Sequence, residues 1–243
     1  MTRPLLEVQS LRKHFGGVQA VSDVSFGVEQ GRVYGLIGPN GAGKTTLFNL
    51  VAGRLAASGG RVVFDGIDIS GWPCHRRVER GLARSFQAAT LYPEATVREH
   101  VLRGGSLRSK RGRDAEAAAD AVLALVGLDE AAETLGRSLP YGHQRALGVA
   151  TALATEPRLL LLDEPVAGMN ATETIAMTTL LRRIQRSGVT LLLVEHDMHF
   201  VMGLCDHIVV LDNGRKIAEG SPAQVRVNPV VIEAYLGSEA DDA

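Results

Sequence analysis

Strand-like and helix-like stretches alternate along this 243-residue chain, and the alternation predicts an α/β fold. Two further observations carry the same reading. A glycine-rich turn at residues 38–45 stands between a short apolar strand and a helix. From about residue 89 to 155 the strand signal lapses and the pattern is helical. The expected architecture is a single domain, an α/β core over about 1–88 and 156–243 interrupted by a helical insertion over about 89–155.

Val8 to Phe15 and Val18 to Val28 are rich in valine and separated by Gly16-Gly17. They read as two strands joined by a turn, the second closed at Gln30-Gly31. Arg32 to Ile37 is a short apolar strand running into GPNGAGKTT. Thr46 to Ala52 reads as a helix, with Gly53 placed to end it. Arg61 to Phe64 is a further strand, turned by Asp65-Gly66. The helical stretch holds Thr96 to Arg103, Ala115 to Val126 and His143 to Ala154. Between the first two, Leu102 to Asp114 (LRGGSLRSKRGRD) reads as a solvated basic loop tip. After Pro157 strands return at Leu159 to Leu162, Val189 to Val194, Ile208 to Leu211 and Lys216 to Ala218. Helices lie near Glu173 to Arg186 and Pro229 to Leu236, and the acidic ending GSEADDA reads as frayed.

Composition excludes several classes. Lys plus Arg is 26 and Asp plus Glu is 27, so no global basic surface is available to grip nucleic acid. The longest apolar runs, such as Val189 to Val194, fall far short of the roughly 20 residues of a membrane helix. The start, MTRPLLEVQS, lacks the apolar core of a secretory signal. Cys74 and Cys205 lie far apart without His or Cys at metal spacing, and read as two buried thiols. A soluble, cytoplasmic globule is expected.

The sharpest motif is Gly38-Pro39-Asn40-Gly41-Ala42-Gly43-Lys44-Thr45, which fits G-x-x-x-x-G-K-[ST] without a mismatch. Glycines let the backbone wrap a phosphate closely, with amide N–H groups turned inward. Lys44 reaches the β/γ-phosphates, the Thr45 hydroxyl suits Mg²⁺, and the helix that Thr46 continues adds positive potential at its start. Leu159 to Leu162 followed by Asp163-Glu164 is a buried strand ending in two carboxylates. Beside a phosphate loop, this places Asp163 near the Mg²⁺ and lets Glu164 polarise an attacking water.

With these motifs the chain resembles the ATP-binding subunits of ABC transporters over essentially its whole length. The resemblance implies a P-loop NTPase, with a RecA-like core carrying an antiparallel β subdomain and an inserted α-helical subdomain. It also implies ATP and Mg²⁺. Phe15, 23 residues before Gly38, matches the aromatic that stacks on adenine, with a core phenylalanine as the competing reading. Gln87 in RSFQ matches the glutamine that touches Mg²⁺ and the attacking water, in a loop that senses the membrane subunits. His196 in LLLVEHDM matches the switch histidine that contacts the γ-phosphate. The family's Leu-Ser-Gly-Gly-Gln signature is replaced here by Leu139-Pro140-Tyr141-Gly142-His143, followed by Gln144-Arg145. The resemblance implies that Pro140, Tyr141, Gly142 and His143 meet ATP bound on an opposite subunit. Pro140 offers neither the hydroxyl nor the amide that the family's serine donates, which leaves Gly142 and the following helix N-terminus as anion binders. Asn170 in AGMN stands where many members carry an Asp that acts across the dimer.

Longer segments are more specific. GLARSFQAATLYPEATVREHV, LLLLDEPVAGMN, the stretch from Glu195 to Val225 and NPVVIEAYLG resemble the ATPase of branched-chain amino-acid importers, with urea or amide importers close behind. The resemblance implies a head-to-tail pair with a second ATPase, a heterodimer by preference, docked on two membrane permeases at the inner face of the cell membrane. A substrate-binding protein acts indirectly, and no nucleic acid takes part. Kinases lack these motifs in this order, and ribosome-associated relatives usually carry two nucleotide domains. A non-hydrolysing regulatory subunit is suggested by Pro140 and Asn170 but opposed by Glu164 and His196.

Overall fold

The computed structural model describes residues 3–85, 92–106 and 113–241, with helix backbone alone from 236 onward. The chain forms two compact units, 1–77 with 190–243, and 78–189. The expected helical insertion falls inside the second.

The first unit begins with β1 (Leu6–Phe15) and β2 (Val18–Val28), an antiparallel hairpin in which Phe15 faces Val18 across the turn. Next come β3 (Val33–Ile37), α1 (Lys44–Ala52), β4 (Gly59–Phe64) and β5 (Ile67–Asp68). Gly53 closes α1 in the left-handed conformation, as its place after the last apolar residue predicts. α2 (Cys74–Arg80) leads into the second unit, which holds β6 (Leu82–Arg84), α3 (Val97–Gly105), α4 (Arg113–Val126), α5 (Tyr141–Leu153), β7 (Leu159–Asp163) and α6 (Ala171–Arg186). The chain then returns to the first unit with β8 (Thr190–Val194), α7 (Met198–Leu204), β9 (His207–Asp212), β10 (Arg215–Gly220), α8 (Pro222–Arg226) and α9 (Pro229–Asp241).

In the first unit β2-β1-β4-β5 is an antiparallel sheet, and a second sheet runs β10-β9-β3-β8. β3 pairs in parallel with β8 on one side and β9 on the other. Every residue of β3 and β8 is buried, which is why both read as unbroken apolar runs rather than alternating ones. In the second unit β6 and β7 pair in parallel, and α5 packs against α3. A Cβ on Gly104 would lie 2.2 Å from the Thr151 carbonyl oxygen, so that helix contact requires a glycine.

Four expectations change. Cys74 is exposed, at the start of α2, and only Cys205 is a buried thiol. Part of the basic stretch 102–114 is helical rather than loop, because α3 runs to Gly105 and α4 starts at Arg113. The acidic ending is helical to Asp241, as Leu, Glu and Ala favour helix once Pro229 has started one. α5 starts at Tyr141 rather than His143, because Pro140 ends the preceding extended backbone.

Candidate functional site

The phosphate loop leaves the carboxyl end of β3, the central strand of its sheet, and enters α1. Its shape depends on glycine at two contacts. Gly38 has φ +151°, and a Cβ there would sit 2.1 Å from the Leu211 carbonyl oxygen. Gly43, at φ +93°, would bring a Cβ within 2.3 Å of the Ala20 carbonyl oxygen. The turn is closed by Ala42 N–H to Pro39 O at 3.2 Å and tied outward by Gly214 N–H to Ala42 O at 3.1 Å. Lys44 Nζ donates to Gly38 O at 2.7 Å and Pro39 O at 2.9 Å, so the ammonium stands over the loop. Gly43 caps α1 without a side chain, and the first turn of a helix carries N–H groups with no intrahelical acceptor. Loop and helix together form an anion cradle.

His196 follows β8, beside β3 and parallel to it, so it leaves the same edge of the sheet as the phosphate loop. Its side chain is exposed. Behind it stands Glu195, 1% exposed, whose carboxylate accepts from the backbone N–H of His196 at 3.0 Å and of Asp197 at 3.4 Å. Asp197 in turn caps α7 through Phe200 N–H at 3.0 Å. The backbone under the histidine is therefore held by two carboxylates that the sequence reading passed over. Phe15 is 48% exposed at the end of β1, with Lys13 Nζ 4.9 Å from its ring centroid, so the competing reading as a core residue is set aside. Burial pushes the Tyr235 phenol of α9 up to about 12, against the pull of the Gly38 backbone.

In the second unit Asp163 closes β7, 7% exposed, and its Oδ2 accepts from Arg84 Nη2 at 2.5 Å. Glu164 follows at φ +45°, a left-handed conformation that is strained for a non-glycine residue and turns the chain sharply off the strand. Among the described residues no three His, Cys, Asp or Glu side chains cluster as a metal cage. Taken singly, the Thr45 hydroxyl and the Asp163 carboxylate are hard oxygen donors of the kind Mg²⁺ prefers. Gln87 lies outside the described residues. Tyr92 N–H donates to His100 Nε2 at 2.9 Å, while His100 Nδ1 meets Thr96 O at 2.7 Å.

The signature segment is built differently from the sequence expectation. Pro140 is the N-cap of α5 and makes no side-chain cap bond. Tyr141 Oη donates to Ala167 O at 2.9 Å, and Arg145 reaches the same oxygen at 3.1 Å. Gly142 was expected to offer a vacant amide. Its N–H instead meets Glu173 Oε1 at 3.3 Å, so a carboxylate already stands at the N-terminus of α5. The other oxygen of Glu173 accepts from Asn170 N–H, while Asn170 Oδ1 accepts from Glu173 N–H, a capping box for α6. Asn170 thus has a structural role as a helix cap. His143 is exposed.

Comparison with known proteins gives the chain's family and fold neighbours. The profile of the ABC transporter family matches residues 21–167, and that of the branched-chain amino acid ATP-binding cassette transporter matches residues 215–241. The chain is 42% identical to the high-affinity branched-chain amino acid transport ATP-binding protein BraF of Pseudomonas aeruginosa, over 98% of this chain and 99% of that one. It is 38% identical to LivG of Salmonella typhimurium, another high-affinity branched-chain amino acid transport ATP-binding protein, over the same shares. The crystal structure of an ATP-binding cassette of an ABC transporter in its ADP conformation superposes with a TM-score of 0.88 at 30% identity, covering 97% of this chain and 100% of that one.

Proposed function

We propose, from the premise that the chain belongs to the ABC transporter family of ATP-binding subunits, that it hydrolyses ATP to energise a membrane importer of branched-chain amino acids. The observation that carries the chemistry is the phosphate loop: a glycine-dependent turn on the central strand, with Lys44 over it and α1 opening behind it. The branched-chain assignment is supported by the profile match over 215–241 and by the similarity to BraF and LivG.

In this reading the loop amides from Gly38 to Thr46 and the Lys44 ammonium hold the β- and γ-phosphates, while Phe15 stacks on the adenine. Glu164 accepts the proton of the attacking water, and Gln87 orients that water. His196, steadied by the Glu195 carboxylate beneath its backbone, donates to the γ-phosphate oxygens as charge gathers on them. Thr45, Gln87 and Asp163 would hold Mg²⁺, which when bound neutralises phosphate charge and aligns the terminal group. The substrate site is completed by Pro140 to His143 of a second ATPase subunit, and closing and parting of the pair drives two permeases through the Gln87 loop, at the inner membrane face. The missing donor at Pro140 and the Glu173 carboxylate at Gly142 both favour a pair of unequal sites, hence a heterodimer. No described helix is long and apolar enough to cross a membrane.

The test is reconstitution with the permeases, partner ATPase and binding protein in liposomes, following leucine, urea and acetamide uptake together with phosphate release. Leucine uptake that needs ATP, and a phosphate release cut at least roughly a hundredfold by Glu164→Gln, is the expected result. Unchanged turnover in that variant would remove Glu164 from the reaction. Uptake of urea or acetamide alone would move the substrate assignment while leaving the ATPase intact.

A further inference from the structure

The Arg84–Asp163 ion pair is the feature of the second unit that the reaction outlined above does not use. The two side chains are only 11% and 9% exposed, and the bond between them is 2.5 Å. Arg84 ends β6, whose other residues, Leu82 and Ala83, are buried and apolar. A charge at that register breaks an otherwise apolar strand, and a shielded ion pair costs more desolvation than a pair of apolar side chains would. The strand is nevertheless fixed around it: β6 pairs with β7 from Leu82↔Leu159 to Arg84↔Leu161, and Ser85 N–H donates to Leu161 O at 2.9 Å. Arg84 also stands three residues before Gln87 in the chain.

We propose that Arg84 is a positioning residue that stands in for the divalent cation. Before metal arrives, its guanidinium is the counter-ion of Asp163: it fixes the carboxylate in one orientation and offsets its charge toward the incoming phosphates. With a metal–nucleotide complex bound, Asp163 would be oriented and its charge offset through the metal instead, and the contribution of Arg84 would fade. This rests on Asp163 being a metal ligand, as assigned above. Geometry favours the exchange over a purely structural bridge, because the guanidinium sits on the carboxylate expected to meet the metal. A bridge serving only to join β6 to β7 is already supplied by the strand pairing itself.

The consequence is a linkage that needs no turnover to be read. A fluorescent ADP analogue is titrated into the full chain in EDTA and in Mg²⁺, for the native protein, Arg84→Gln, Arg84→Lys, Asp163→Asn and the Arg84→Gln/Asp163→Asn double variant. Losing a charge-assisted contact is expected to weaken binding in EDTA roughly tenfold or more in Arg84→Gln, and under about twofold in Mg²⁺. Arg84→Lys, which keeps the charge, restores most of the loss. In the Asp163→Asn background, Arg84→Gln has no further effect in EDTA. That double variant holds an uncharged, hydrogen-bonding pair, and so separates loss of charge from loss of folding. Equal weakening in EDTA and in Mg²⁺, or none in EDTA, overturns the proposal. A full Mg²⁺ response retained in Asp163→Asn would instead overturn the assignment of Asp163 beneath it. Absence of binding by the native chain would overturn the nucleotide reading as a whole.

Discussion

Arg77 offers the sharpest stability experiment in the first unit. Its side chain is 1% exposed, and its partners are backbone carbonyls rather than a neighbouring carboxylate. Nη1 donates to Leu50 O at 3.0 Å and to Val51 O at 2.7 Å, the last turn of α1. Nη2 donates to Ser70 O at 3.1 Å, and Nε to Trp72 O at 3.0 Å. The guanidinium thus meets the negative end of the phosphate-loop helix and ties it to residues 70–72. Burial lowers its pKa, so a cost of desolvation is set against the four bonds. In Arg77→Met the carbonyls lose their donor at about 1–3 kcal/mol each, and relief of the buried charge returns several kcal/mol, leaving a net loss of about 3 kcal/mol. For a chain of this size that is a fall in Tm of roughly 6–12 °C. A second perturbation checks the cause. A Cβ on Gly53, which has φ +75°, would lie 2.5 Å from Arg77 Nε, so part of the cost of Gly53→Ala is a clash with this side chain. Calorimetry of the double-variant cycle is expected to show coupling of about 1 kcal/mol, with Gly53→Ala milder once Arg77 is methionine. Arg77→Met melting within about 2 °C of the native chain, or strict additivity with Gly53→Ala, would refute the reasoning.

Two shorter predictions follow. Tyr235 is a phenol whose folded pKa, about 12, lies above the unfolded value of about 10. The stability it contributes is therefore fully present below pH ~10 and lost as pH rises through the folded value. Ultraviolet titration should show one tyrosine ionising late, absent in Tyr235→Phe; a native titration identical to that of the variant would exclude the shift. Glu173→Gln keeps an acceptor for the α6 cap and removes the charge from the start of α5, whereas Glu173→Ala removes both. Urea denaturation is expected to show a loss of about 1 kcal/mol for Ala and clearly less for Gln. Equal losses would mean that the carboxylate charge, not the cap, is what counts.

What could be read from the sequence was what works through the backbone and local spacing. Gly38, Gly43 and Lys44 announce themselves because a tight phosphate turn needs its glycines at fixed intervals, and the buried parallel strands leave unbroken apolar runs at Val33–Ile37 and Thr190–Val194. Short elements were missed: α2, α7 and α8 span seven, seven and five residues, too few to show a helical period. β6 has three residues, one of them charged, and carries no strand signal at all.

Charges with structural partners were illegible for a different reason. Arg77, Arg84, Glu173 and Glu195 each look like an ordinary surface residue in their own neighbourhood. Their partners are separated by chain distance, as with Arg84 and Asp163, 79 residues apart, or are backbone groups that no side-chain pattern betrays, as with Arg77 and Glu195. The distinction bears on mechanism. Residues proposed to contact phosphate lie on the loop that the motif spells out, so the sequence exposes them. Residues that hold those contacts in place need only reach them through space, and any strand end or loop with the right geometry can supply one. Glu195 illustrates the point: it adjoins His196 in sequence, and its carboxylate accepts two amide hydrogen bonds beneath the histidine while its Oε2 lies 4.0 Å from the imidazole Nδ1. On the role proposed for His196, removal of that carboxylate should therefore both loosen the backbone that aims the imidazole and take a negative charge from beside its Nδ1.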